Sequence, residues 1–375
     1  MKYIKLYSYM AGNLGDDLMV DIILKKYPKF RFFCDSTKYD YIFSNNKNFR
    51  PTEYYYRKYG HLNRLLSIIR PKNNNLYENI FKTTNHKCIC SVYVGGSIFM
   101  QGSINNAQDL HKRITHEEKK FSNGPLFIIG ANFGPYTFDE FQTSFFDYFE
   151  KCGGVTFRDK FSYSLFSQLN NITYAPDVVF SIDTSAYNIE KPFFENEYVV
   201  LSVIDLYKKT SYVQLTEHYD NLIADLCKKI VNSGKIPLLM SFCKSEGDEA
   251  AIIRIINLLN SDTLKKTQTY FYRGNLDEAL SVLKFAQSII ATRFHAMVLA
   301  IKFNIPSFSF SYNEKMANVL NDIGFYSYAN IQNIANLDAT KVLNGISPPP
   351  IINDYIDKSV MQFNQLNEYL KLPQY

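Results

Sequence analysis

Short apolar runs alternate with stretches whose apolar residues recur every three or four positions, along nearly the whole chain. Alternation of that kind marks parallel strands joined by crossover helices. In the first half, residues 3–9 read as a strand and 17–26 as the helix after it. Residues 89–94, 126–130 and 155–157 read as further strands, 160–169 as a helix, and 178–181 as a short strand. The second half is more regular. Strands are predicted at 198–204, 236–242, 269–272, 288–291 and 307–310, each followed by a helix, at 213–232, 248–259, 276–285, 295–302 and 314–323. Five strands and five helices in strict order predict a doubly wound, Rossmann-like domain.

The pattern breaks at residues 184–196, where polar residues and Pro192 intervene, and again at Ser347, Pro348, Pro349 and Pro350. The expected organisation is an N-terminal Rossmann-like domain over 1–190 and a second over 191–346. A linker and closing helix, over 353–370, fill 347–375. That is an α/β chain of two Rossmann-like domains facing a cleft, GT-B-like, with the site in the cleft.

Composition fits a chain with real cores. Of 375 residues, 46% are apolar and 21% charged, which excludes a disordered protein. No apolar run approaches the ~20 residues of a membrane span, and Asp16 and Asp17 interrupt any leader-like stretch. A cytoplasmic protein is expected. The six cysteines are scattered without a CxxC pair, so buried free thiols are expected rather than a metal or redox site. Residues 50–72 carry Arg50, Arg57, Lys58, Arg64, Arg70 and Lys72 against Glu53 alone. That local excess equals the whole chain's net +5. With its tyrosines and leucines, the segment suits either a solvated helix or a peripheral contact with an anionic membrane surface. No nucleic-acid motif accompanies it.

Ligands of such sheets bind beyond the carboxyl ends of the strands, so the strand exits hold the candidates. After the first strand come Gly12, Asn13, Leu14, Gly15 and Asp16, glycines that allow a tight turn and free amides at a helix start. Gly95, Gly96 and Ser97 follow the strand at 89–94, and Asn132 lies in the glycine-rich exit after 126–130. Arg158 follows 155–157 and can fork onto an anion or pair with Asp159 or Asp177. Lys244 lies in the exit after 236–242. Arg293 and His295 open a helix after 288–291, where the helix N-terminus disfavours a cation and suits an imidazole that takes and gives protons. Lys315 stands one strand over, placed to share an anion with Arg293.

Taken in order, these elements resemble the polysaccharide pyruvyltransferases. The matching residues are Asn13, Gly15 and Asp16; Gly95, Gly96, Ser97, Ile98 and Phe99; Gly130 to Pro135; Arg158, Asp159 and Ser162; Ala175, Pro176 and Asp177; and Arg293, Phe294, His295 through Pro306 to Tyr312, Asn313, Glu314 and Lys315. Ser97 and Asn132 stand where the family commonly has glycine. The resemblance implies phosphoenolpyruvate as co-substrate, a sugar acceptor, and a pyruvate ketal in a surface or capsular polysaccharide precursor. No other cofactor and no metal is called for. It assigns His295, with Asp16 next, to proton transfer. Arg293, Lys315, Arg158 and Lys244 fall to the donor anion. Asn13, Gly15, Gly95, Gly96, Ser97 and Asn132 fall to the acceptor or its loops. A lipid-linked oligosaccharide is one form the acceptor can take. A glycosyltransferase using a nucleotide sugar would occupy the same cleft. A non-catalytic subunit of an assembly complex is disfavoured by the joint presence of Arg293, His295 and Lys315.

Overall fold

The computed structural model describes residues 2–34, 40–43, 46–51, 87–121 and 124–373. Residues 57, 58, 64 and 70, on which the membrane-contact expectation rests, lie outside them. Among the described residues no helix is long and apolar enough to cross a membrane.

The chain forms two compact units. The first comprises the described residues of Met1–Met10, Met19–Val178 and Lys358–Tyr375, and the second Ala11–Leu18 and Val179–Asp357. The helix Leu14–Lys26 therefore begins in the second unit and continues in the first.

The first unit is built on seven parallel strands: β1 (Lys2–Tyr7), β2 (Phe30–Cys34), β3 (Phe49–Pro51), β4 (Cys88–Val94), β5 (Leu126–Ala131), β6 (Gly154–Phe157) and β7 (Ile172–Tyr174). Their order is β3-β2-β1-β4-β5-β6-β7. β5 and β6 are buried at every position, as parallel strands covered on both faces must be. One face is covered by the helices Ala107–Glu118 and Asp139–Glu150. Residues 141, 145, 148 and 149 recur at the helical period and supply Phe141, Phe145, Tyr148 and Phe149 to a core in which half of the buried residues are aromatic. Phe99 meets Phe149 edge to face at 5.0 Å, and Phe133 meets Phe166 at 4.8 Å. Such pairs add ~0.5–1.5 kcal/mol each beyond area burial, which gives the many phenylalanines a structural explanation.

The second unit holds β8 (Tyr198–Val203), β9 (Ile236–Ser241), β10 (Gln268–Phe271), β11 (Ser288–Ala291), β12 (Ser307–Ser311) and β13 (Tyr328–Asn330), all parallel, in the order β10-β9-β8-β11-β12-β13. The helix Thr216–Asn232 buries Tyr219, Leu222, Ile223, Leu226, Cys227 and Ile230, one face at the 3.6-residue period.

Most predicted elements are present within three residues of their expected ends. Residues 178–181 form a 3-10 helix, not a strand. Val178, Val179 and Phe180 are all buried, and a short apolar run does not reveal its period. The closing helix of 353–370 is broken into Asn353–Lys358, a 3-10 turn at Ser359–Phe363 and Asn364–Leu370. Its last part belongs to the first unit, where Gln362 accepts from Gly130 N at 2.8 Å and donates to Ala175 O at 2.7 Å. All six cysteines are buried and unbridged.

Candidate functional site

The residues singled out from the sequence collect at strand exits in each unit. In the second unit the exits of β9 and β11 and the segment Ala11–Leu18 come together. Leu14 N donates to Phe242 O at 3.0 Å, and Asn13 bridges Cys243. The Asn13 side chain works at both ends. Its Oδ1 accepts from Gly15 N at 3.0 Å, and its Nδ2 donates to Glu246 Oε1 at 3.2 Å.

Glu246 and Asp248 hold Arg293. Nη1 donates to Glu246 Oε2 at 2.7 Å, Nε to Asp248 Oδ2 at 3.0 Å, and Nη2 to Asp248 Oδ1. Asp248 Oδ2 also accepts from the amides of Phe242 and Cys243, both at 2.9 Å. Burial by itself would lower Arg293, but Asp248 and then Glu246 more than offset it and hold the guanidinium charged. Burial likewise raises Glu246, and Arg293 and Lys209 reverse that and bring it down to about 2. Arg293 is only 5% exposed and carries two carboxylates. The expectation placed Arg293 on the donor anion; in the structure each of its three guanidinium nitrogens donates to a carboxylate of the exit after β9.

His295 sits on that turn, at the start of the helix Phe294–Lys302. Its imidazole lies against Gly15. A Cβ placed on Gly15 would fall 1.8 Å from His295 Nδ1, so only glycine admits the ring. Phe294 meets the ring edge to face at 5.1 Å, and Lys315 Nζ stands 5.6 Å over Phe294. Asp16 is half-buried beside Gly15. The neighbouring Asp17 is fully buried and accepts from Tyr272 OH at 3.0 Å; burial raises its pKa well above the ordinary range. Lys244 is exposed in the turn Lys244–Glu246.

In the first unit the exits of β4, β5 and β6 converge on Arg158, which is 1% exposed. Nη1 donates to Asp177 at 2.8 Å and Nη2 to Asn132 Oδ1 at 2.8 Å, an oxygen that also accepts from Ser97 Oγ at 3.3 Å. A Cβ on Gly96 would lie 2.2 Å from Arg158 Nη2, so the guanidinium rests directly on that glycine's backbone. Gly95 has φ +158, which only slightly departs from extended backbone. The structural pairing of Arg158 with Asp177 is the one observed; Asp159 instead caps the next helix, accepting from Ser162 N at 2.8 Å. Asn132, Gly96 and Ser97 thus form a brace around Arg158. Glu246, Asp248, Asp17 and Tyr272 were not among the residues expected from sequence. Two carboxylates two positions apart at a strand exit were the available signal for the first pair; Asp17 and Tyr272 meet only through the fold.

The model of the family described as polysaccharide pyruvyl transferase matches residues 13–314. The chain belongs to the polysaccharide pyruvyl transferase family. Its match begins at Asn13 and runs through Arg158, Arg293 and His295 to Glu314, the residue before Lys315. Three solved structures share the fold. Anabaena Alr3699/HepE, in complex with UDP and glucose, has a TM-score of 0.54 at 12% identity, with 99% of each chain covered. Staphylococcus aureus MnaA with UDP has 0.54 at 10%, covering 100% of this chain and 99% of that one. UDP-GlcNAc 2-epimerase from Methanocaldococcus jannaschii, with UDP-GlcNAc and UDP, has 0.53 at 11%, with 99% of each covered. At such identities the likeness establishes the fold, which is GT-B-like, with two Rossmann-like sheets.

Proposed function

We propose that this member of the family moves the pyruvyl group of phosphoenolpyruvate onto two hydroxyls of a sugar, giving a cyclic ketal and inorganic phosphate. The observation that carries the reading is the seating of His295 on Gly15. It joins the start of the family-matched region, residues 13 to 16, to residues 293 to 295 far along it, in one compact unit, with the group assigned to proton transfer at the junction.

The chemistry balances as follows. The donor methylene carbon takes a proton, so that the adjacent carbon becomes electrophilic and accepts one sugar hydroxyl. Phosphate then leaves with the C–O bond pair, and the second hydroxyl closes the ketal. Of the two hydroxyl protons lost, one matches the proton on the new methyl group and the other leaves with phosphate. His295 is the group assigned to these transfers, with Asp16 beside it. The donor's carboxylate and phosphate need positive partners. Lys315, in the first turn of the helix Glu314–Asp322, supplies one. Lys244, exposed on the neighbouring turn, is the further cation available. Arg293 acts through Asp248 and Glu246 as a positioning residue. Release of phosphate from phosphoenolpyruvate, dependent on an added sugar acceptor, tests the reading; a nucleotide sugar consumed in its place would favour glycosyl transfer.

A further inference from the structure

The first unit's sheet carries a pocket that the transfer chemistry above does not use. It lies past the carboxyl ends of β1, β2 and β4 and has a volume of about 180 Å³. The strand order gives that position meaning. From β1 the chain steps outward to β2 and β3, then returns to β4 on the other side of β1. Open α/β sheets bind ligands at such a switch point.

Tyr7 and Tyr93 are register partners on β1 and β4, and their rings meet edge to face at 6.3 Å. Lys120, 8% exposed, holds its ammonium 4.8 Å over the Tyr93 ring and 6.0 Å from Tyr7. Its partner is the buried Glu117, at 2.8 Å. Arg113 reaches the same carboxylate at 3.0 Å and donates through Nη2 to Ile98 O. Two cations thus share one carboxylate, and the wall keeps an excess positive charge. His116 stands exposed at the rim, where burial and then Lys120 lower its pKa. Ser8 Oγ is closed off from solvent and has no hydrogen-bond partner among the described residues. An internal ion pair would explain Lys120 and Glu117. It does not explain a second cation and an unmatched hydroxyl around one cavity.

We propose that this pocket binds the anionic group, phosphate or carboxylate, of the sugar acceptor. The identity of the ligand as acceptor rests on the pyruvyl-transfer reading. The charge excess recognises the anion, and Ser8 donates to it. The volume is below the ~300–1,000 Å³ of drug-sized sites, which fits a single charged sugar.

The experiment titrates the full chain separately with glucose 1-phosphate, glucuronate, neutral glucose and phosphoenolpyruvate, in the unaltered protein and in His116→Asp, His116→Arg and Ser8→Val. The first variant sets a negative charge at an exposed rim position, where folding should survive; thermal melts check this. At least one of the two anions should bind about tenfold or more tightly than glucose, and which one does identifies phosphate or carboxylate as the group read. His116→Asp should weaken that anion about tenfold, His116→Arg should preserve it, and Ser8→Val should weaken it. Phosphoenolpyruvate affinity should stay unchanged throughout. The proposal is overturned if neither anion outbinds glucose, if His116→Asp and Ser8→Val both bind as the unaltered chain does, or if His116→Asp weakens phosphoenolpyruvate instead. Failure of every variant and of the unaltered chain to bind phosphoenolpyruvate would count against pyruvyl transfer alone, because the anion-versus-glucose comparison is read without it.

Discussion

Gly15 and His295 are 280 positions apart in sequence and share one contact that neither tolerates changing. Gly15 needs no unusual φ, so alanine there would be harmless in itself; its methyl group would collide with the imidazole. Gly15→Ala should therefore lower turnover in the same direction as His295→Ala, for which a loss on the order of 10²–10⁴-fold is expected with donor binding retained. The double variant should be no worse than the poorer single, since both remove one function. Kinetics of the three variants check this, and additive losses would separate the two residues. Arg293 should fail differently. Arg293→Ala leaves the buried Asp248 without its cation and Glu246 with Lys209 alone, a loss of ~3–5 kcal/mol of stability, read by denaturant unfolding. If stability stays intact and only donor affinity falls, Arg293 is a donor ligand after all. The sequence placed Arg293 and His295 correctly at a strand exit. It did not show which anions Arg293 would meet, because Glu246 and Asp248 follow another strand and are brought across only by the neighbouring order of β9, β8 and β11.

At the scale of elements, the strand-exit turns behave as pre-set brackets. The turn after β9 is held by Asp248 on two amides and by Glu246 on Arg293 and Asn13. Glu246 ionises in the folded state at about 2, below its ordinary 4.5. A lowered carboxyl stabilises the fold fully above the unfolded value and loses that contribution as pH falls toward the folded one. The unaltered protein should thus lose roughly 3 kcal/mol between about pH 5 and about pH 2 through this group, and Glu246→Gln should show a flatter acid limb in melts across that range. Identical acid limbs would contradict it. In the first unit, Gly96→Ala should push Arg158 off Asp177 and Asn132 and lower the melting temperature by several degrees; an unchanged melt would show the brace can shift. The sequence revealed the exit after β4 through the paired Gly95 and Gly96, the turn after β9 through Lys244 and Gly247 at a helix start, and most strands and helices through their periods. It was silent on β2, β3, β7 and β13, each three to five residues long, where a short run carries too little pattern. The helix Asp139–Glu150 also escaped notice because its apolar positions are all phenylalanine and tyrosine among polar neighbours.

Over the whole molecule, two parallel sheets and a family match across residues 13–314 place the chain among polysaccharide pyruvyl transferases, while its structural relatives in complex with UDP share only the fold. Phosphoenolpyruvate should raise the melting temperature in a concentration-dependent manner, as a ligand of the native state does, and UDP should not. The most direct measurement follows carbon-labelled phosphoenolpyruvate incubated with the protein and a panel of neutral, acidic and phosphorylated sugars, reading phosphate release and the label together. The account predicts acceptor-dependent phosphate release, with the label appearing on the sugar as a ketal carbon, both lost in His295→Ala. Intact phosphoenolpyruvate, alongside consumption of a nucleotide sugar added to the same reaction, would contradict it.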